Sequence, residues 1–416
     1  MNMNRSAALL LAASLAASLA ACSGPSARRA PASGVMSGLD VLVSDNFRAL
    51  KGKRVGVLTN STAVDRRGRS IVDLLAAAPG VTLAAIFTPE HGYAAASESE
   101  NIASGHTSVH GRKIPLYSLY KGGIKGMRPT PEQLQGLDVL VFDIQDIGAR
   151  FYTYLATMGM ALEEAKTAGV DFLVLDRPNP IRGDIVEGPV LADPNLRFLT
   201  PTAYFQIPVR HGLTAGEIAL WHNRSVGHRR LNVIKMRGWK RDQWHDQTGL
   251  PWVPPSPNMP DVDAASLYPG IGIFEASNLA VGRGTPVPFR WIGAPWMRAE
   301  EIVSRLQGTV EGVEFSVQDY TPSKSVFAGK DCRGVRITVT DRDAMRPLMV
   351  FRHLALALRE LNPKEFEWRW DEVKRMVGVD EFRHLWETGA GDEAFIGLFD
   401  KGPRDFEPSR SAVLLY

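Results

Sequence analysis

Two apolar runs, Leu83–Phe87 and Val139–Phe142, break off into polar clusters that could do chemistry. The first discharges into Thr88-Pro89-Glu90-His91-Gly92, the second into Asp143-Ile144-Gln145-Asp146-Ile147-Gly148-Ala149-Arg150. A carboxylic acid beside an imidazole can move protons, and a second carboxylate can stabilise a developing positive charge. Two more apolar runs end alike: Lys53–Thr59 in Asn60, and Phe172–Leu175 in Asp176-Arg177-Pro178-Asn179-Pro180. Short unbroken apolar runs read as buried parallel strands. In an open parallel sheet, ligands sit outside the carboxyl ends of the strands. A polar strand end by itself only marks where a chain surfaces. Four at one edge, ending in Asn60, Glu90, Asp143 and Asp176, mark an active-site rim.

Several chemistries compete for that rim. A hydrolytic metal needs converging histidine and carboxylate ligands. His91, Asp143 and Asp176 could supply them, but no His-x-His, His-Glu-x-x-His or Cys/His spacing exists, so no metal is expected. A phosphate-binding loop would place Gly-x-Gly-x-x-Gly after the first strand. That turn is instead Thr59-Asn60-Ser61-Thr62, while Gly282-Arg283-Gly284 lacks strand–helix context, and no cofactor is expected. Gly-x-Ser-x-Gly, the nucleophile elbow, is absent. Glycoside hydrolysis needs one protonated carboxyl, a second group at the anomeric carbon, and aromatic faces for sugar rings. Glu90, in a constrained turn beside His91, suits the acid, because a carboxyl held against an apolar wall can stay protonated. Tyr152, Tyr154, Tyr268 and Trp291 could be platforms, although core packing is the commoner role for each.

The elements that must position these groups follow in chain order. Arg5 and the small apolar run Ala7–Ala20 read as an export leader over residues 1–21. Leu19-Ala20-Ala21-Cys22 resembles a bacterial lipobox, which would make Cys22 the lipidated N-terminus, followed by a flexible tether over 22–37. Ser23 after it points to the periplasmic side of the outer membrane in a Gram-negative cell. The only other cysteine is Cys332, so no intramolecular disulfide is expected, and stability must come from a buried core. A net charge of +3 and no basic stripe argue against a nucleic-acid partner. Helical patterns over 70–78 and 153–168, the latter closed by Gly169, alternate with the strands and predict a doubly wound α/β sheet over 38–252. The connection 93–137 is long enough to be functional or a lid. Thr214-Ala215-Gly216-Glu217 is a capping box, so Glu217 caps a helix rather than catalyses. Proline-rich Trp252–Pro260 reads as a rigid crossing into a smaller α+β domain over 253–416, with strands at 313–317 and 335–339 and helices at 345–361 and 380–387.

Five motifs in order carry a resemblance. They are Thr88–Gly92, Phe142–Tyr154, Asp176–Pro180, Pro257-Asn258-Met259-Pro260 and Gly282-Arg283-Gly284-Thr285. Together they resemble the exo-β-N-acetylmuramidase (NamZ) family over residues 38–416. The resemblance implies a Rossmann-like N-terminal domain, a smaller C-terminal domain and an active-site cleft between them. It implies removal of N-acetylmuramic acid from the non-reducing end of peptidoglycan fragments, in cell-wall turnover or recycling. Glu90 takes the place of the family's Glu-His-Gly glutamate and is the candidate general acid, with His91 beside it. Asp143, Asp146 and Glu275 are candidates for the second group, and the sugar's 2-acetamido group is a further one. Expected substrate contacts are Asn60, Asp146, Arg150, Tyr152, Asp176, Arg177, Asn179, Asn258, Asn278 and Arg283. The chain departs from an expected Glu-Gly-Thr-Asn at Glu275-Ala276-Ser277-Asn278, where alanine gives up the glycine's access to positive φ. Muramic acid carries a lactyl carboxylate, which arginine recognises well. At least one of Arg150, Arg177 and Arg283 is therefore expected to clamp it, unless all three form structural ion pairs. The contrasting reading is a non-catalytic lipoprotein that binds muropeptides in the same cleft.

Overall fold

The apolar runs at Val55–Leu58, Val139–Phe142 and Phe172–Leu175 are buried on both faces, as their composition requires. In the computed structural model, which describes residues 34–99 and 101–416, they form the centre of a seven-stranded sheet. The export leader, Cys22 and the tether up to residue 33 lie outside the described residues. The strands are β1 (Arg54–Thr59), β2 (Thr82–Thr88), β3 (Gly105–Val109), β4 (Arg112–Ser118), β5 (Val139–Asp143), β6 (Asp171–Leu175), β7 (Glu187–Val190), β8 (Pro208–Arg210), β9 (Leu231–Ile234), β10 (Trp291–Ala294), β11 (Val313–Val317) and β12 (Arg333–Val339). The large sheet runs β3-β4-β2-β1-β5-β6-β9, and only β3 is antiparallel to its neighbour. Leu58 registers with Phe87 and Phe142, and Phe142 with Val174. Asn60, Glu90, Asp143 and Asp176 therefore leave the sheet along one edge. The chain order turns back between β1 and β5, which is where ligands collect in such sheets.

Alternation along each strand sends side chains into two core layers. Leu140, Phe142, Phe172 and Val174 face one layer, and Val139, Val141, Leu173 and Leu175 the other. The first is covered by the helices Tyr154–Ala168 and Ala215–Val226, the second by Gly38–Ser44 and Ile71–Ala77. Local signals set these helices. Gly169 ends the first at φ +69°, and Thr214 and Glu217 form the expected reciprocal capping box. Ser37 likewise caps Gly38–Ser44, Val35 is buried, and Met36 pairs with Arg237, so the backbone is held before residue 38.

The connection 93–137 contains the β3–β4 hairpin and the short helix Pro131–Leu134. Asp261 caps a helix over Val262–Ile271 that accommodates Pro269 in its last turns. Gly270 lets this helix touch Pro347, since a Cβ there would lie 2.0 Å from the Pro347 carbonyl oxygen. The remainder is α+β, with the antiparallel sheet β10–β12–β11 under the helices Ala299–Leu306 and Pro347–Leu361. The helix Trp370–Val377 ends on Gly378 at φ +99°, and the helix Asp392–Ser411 contains Pro403 and Pro408. Asp392–Ser411 packs back on β7, where a Cβ on Gly402 would meet the Gly188 carbonyl oxygen at 2.2 Å. Residues 34–416 make one compact unit. Among the described residues no helix is long and apolar enough to cross a membrane.

Candidate active site

The turns after β2 and β5 frame a cavity of about 380 Å³. Pro89-Glu90-His91-Gly92 cannot continue the strand, and His91 and Gly92 both take left-handed backbone, φ +67° and +71°. That conformation is costly for histidine, and such outliers cluster at functional sites. The turn directs Glu90 into the cavity, where both its oxygens accept from hydroxyls. Tyr120 donates to Oε1 at 2.8 Å and Thr153, the residue before the Tyr154–Ala168 helix, donates to Oε2. Among the described residues Glu90 makes no ion pair. His91 Nδ1 lies 2.6 Å from the Ser97 carbonyl oxygen, which makes Nδ1 the protonated nitrogen.

An aromatic wall faces this acid. Tyr152 meets Tyr268 edge-on at 5.9 Å, Tyr268 meets Phe151 at 5.2 Å and Phe289 at 4.6 Å, and all four rings line the cavity. Burial pushes the Tyr152 and Tyr268 phenols well above their usual range, so both stay protonated at neutral pH. Opposite stand two ion pairs. Arg283 Nε donates to Glu275 at 2.5 Å, and its guanidinium lies 5.2 Å over the Phe289 ring. Burial would weaken that guanidinium's hold on its proton, but the Glu275 carboxylate overrides it and raises the pKa. Lys324 Nζ donates to Glu98 at 2.7 Å, and Asn258 Nδ2 donates to the other Glu98 oxygen at 2.9 Å. Those two hydrogen bonds hold the Glu98 carboxyl below its usual range.

Of the residues singled out from sequence, Glu90, His91, Tyr152, Tyr268, Glu275 and Arg283 line the cavity. Asn258 stands one contact behind, through Glu98. The structure does not bring the others to it. Asp143 is fully buried and held bidentate by Arg177, at 2.5 and 3.0 Å, and burial raises its pKa despite that cation. Arg150, expected as a carboxylate clamp, donates instead to the carbonyls of Ile207 and Met376, and burial drops its pKa to about 9. Asp176 accepts from Gly216 and Thr214 at the start of the Ala215–Val226 helix and from Tyr416. Asp146 caps its own turn through Gly148, with His211 Nε2 3.5 Å away. Asn60 bonds Thr62, Asn179 bonds Ile181 and Leu213, and Asn278 ties down residues 365 and 367. Trp291 is not a platform: it is buried under Gly293 and Gly334 and donates to the Gln318 carbonyl. Tyr154 sits behind Tyr152, its hydroxyl donating to Pro255.

Sequence reading passed over Glu98, Tyr120, Thr153 and Lys324. Thr153 lies within the motif Phe142–Tyr154, and Glu98 and Tyr120 lie on the long connection suspected of function. Lys324 carries no local signal, since only folding brings it 226 residues back to Glu98.

Residues 55–263 match the N-terminal model, and residues 266–416 the C-terminal model, of the exo-β-N-acetylmuramidase NamZ family. The chain belongs to the NamZ family. It is 39% identical over 386 residues to the peptidoglycan β-N-acetylmuramidase NamZ of Bacillus subtilis (strain 168), covering 92% of this chain and 91% of that one. Two solved DUF1343 family proteins of Bacteroides fragilis NCTC 9343 share the NamZ-family fold seen here. One is 34% identical with a TM-score of 0.82, covering 93% of this chain and 100% of the other. The second is 28% identical with a TM-score of 0.72, covering 92% and 99%.

Proposed function

We propose that this protein is an exo-acting glycoside hydrolase that releases N-acetylmuramic acid from the non-reducing end of peptidoglycan fragments such as MurNAc-β-1,4-GlcNAc. The observation that carries the reading is Glu90, held at the cavity by two neutral hydroxyls and unpaired with any cation among the described residues. In its protonated form a carboxyl at this position can hand its proton to a glycosidic oxygen as the bond to the anomeric carbon breaks. Glu275 is the second cavity carboxylate among the sequence candidates, because Asp143 is sealed against Arg177 and Asp146 does not line the cavity. Arg283 holds Glu275 in place through its Nε hydrogen bond, so that the carboxylate can face the positive charge that develops on the sugar. Water then adds to the anomeric carbon, and its proton returns to Glu90. The aromatic wall of Phe151, Tyr152 and Tyr268 supplies apolar faces for the ring.

The biological setting proposed is cell-wall turnover or recycling by an exported lipoprotein anchored through Cys22 at the periplasmic side of the outer membrane. The leader and lipobox sequence support it. The deciding experiment is release of free N-acetylmuramic acid from MurNAc-GlcNAc by wild type beside Glu90→Gln. Release by wild type, with loss in a variant that still binds the disaccharide, is expected. Binding without release by either protein would favour a muropeptide-binding lipoprotein instead.

A further inference from the structure

The cavity carries two cations, Arg283 and Lys324, and they are held very differently. Arg283 meets Glu275 with both side chains about a quarter exposed, at 28% and 25%, and stacks on Phe289. Lys324 meets Glu98 with side chains 56% and 35% exposed. An ion pair as open as the second contributes about 0–1 kcal/mol, so an incoming carboxylate displaces it at little cost. The desolvated and stacked arginine pair is harder to part.

The lysine's backbone is nevertheless fixed. The Ser323 amide and hydroxyl both donate to the Gly284 carbonyl, at 3.0 and 2.9 Å. Gly284 has φ +74°, and a Cβ there would lie 2.4 Å from the Lys324 nitrogen, so glycine is required for this approach. The turn Gly282-Arg283-Gly284-Thr285 thus presents Arg283 directly and Lys324 through its neighbour. Glu98, for its part, keeps the Asn258 amide on its other oxygen when the ammonium leaves.

We propose that Lys324 receives the lactyl carboxylate of the muramyl sugar, exchanging Glu98 for it, while Arg283 stays on Glu275 as its positioning residue. This assignment rests on the muramidase reading above. It moves the anionic subsite from the motif arginines to a lysine on a different loop. The Lys324 ammonium, unlike the stacked guanidinium of Arg283, can swing on a flexible stem to follow the sugar.

The test compares two substrates that differ in that charge and one methyl group: a chromogenic β-glycoside of N-acetylmuramic acid and its lactyl methyl ester. Lys324→Ala is expected to raise KM for the acid about tenfold at low salt, leave kcat within about twofold, and change the ester's KM little. Lys324→Arg should restore the preference for the acid. Glu98→Gln, which keeps the Asn258 contact and removes the competing charge, should lower KM for the acid. An unchanged KM for the acid in Lys324→Ala, or equal losses on acid and ester, would overturn the assignment. If wild type cleaves neither glycoside, the muramidase reading itself fails and the assignment with it, a result distinct from normal turnover with no charge preference.

Discussion

Asp176 ends a strand in the pattern of a catalytic rim, yet it holds a helix and the chain's last residue together. Replacing it by asparagine separates the two roles. Oδ1 accepts the amides of Gly216 and Arg177 at 2.8 and 3.1 Å, and Oδ2 accepts the hydroxyls of Thr214 and Tyr416 at 2.7 and 2.8 Å. Burial pushes its pKa from 3.8 up to about 6 even against these hydrogen bonds. The folded state therefore binds this proton more tightly than the unfolded chain. The resulting stability is fully present below about pH 3.8 and is lost as pH rises through about 6. At about 1.4 kcal/mol per unit, the two-unit shift means that about 3 kcal/mol is gone by pH 7. Asparagine keeps one acceptor oxygen for the two amides and has no proton to titrate. The Thr214 and Tyr416 hydroxyls must turn to meet the new NH₂, a cost that does not vary with pH. Urea unfolding of both proteins at intervals from pH 4 to 7 cancels in the difference every titrating group not coupled to Asp176. The stability of Asp176→Asn relative to wild type should climb by about 2–2.5 kcal/mol across that window, because part of the effect is already present at pH 4. A flat difference would refute the linkage argument. Loss of more than about a hundredfold in kcat by the folded variant would refute its placement off the cavity.

The remaining predictions test the same division between chemistry and support. Glu90→Gln should lower kcat for MurNAc-GlcNAc by about 10²–10⁴-fold, the usual contribution of a general acid, with disaccharide binding by calorimetry retained. Arg177→Ala leaves the buried Asp143 carboxyl without its cation and should cost about 3–5 kcal/mol of stability by denaturant titration, while the folded fraction keeps its KM for muramyl substrates. A KM raised tenfold at unchanged stability would restore Arg177 as a clamp. Cys22→Ala should move the exported protein from the membrane fraction to the soluble periplasm, and continued membrane association would argue against the lipid anchor.

The sequence by itself determined the parts whose causes are local. Uninterrupted apolar runs made β1, β5 and β6 central strands, because nothing in them tolerates water on either face. Thr214 and Glu217, three residues apart, could satisfy each other's backbone partners without help from elsewhere, and they do. The turn Thr88-Pro89-Glu90-His91-Gly92 had to leave the sheet at its carboxyl edge, which placed Glu90 and His91 at the cavity. What the tertiary structure alone decided was which charged residues are free to act. Glu90, Asp143 and Asp176 look alike as strand-end acids. Arg177 reaches Asp143 and seals it, a helix terminus and Tyr416 saturate Asp176, and among the described residues only hydroxyls donate to Glu90. The same holds for the cations: Arg150 is spent on carbonyls from two distant segments, while Lys324, without any motif of its own, is delivered to the cavity by a glycine turn. A charge's role is set by which partner meets it first in three dimensions, and that partner can be any number of residues away.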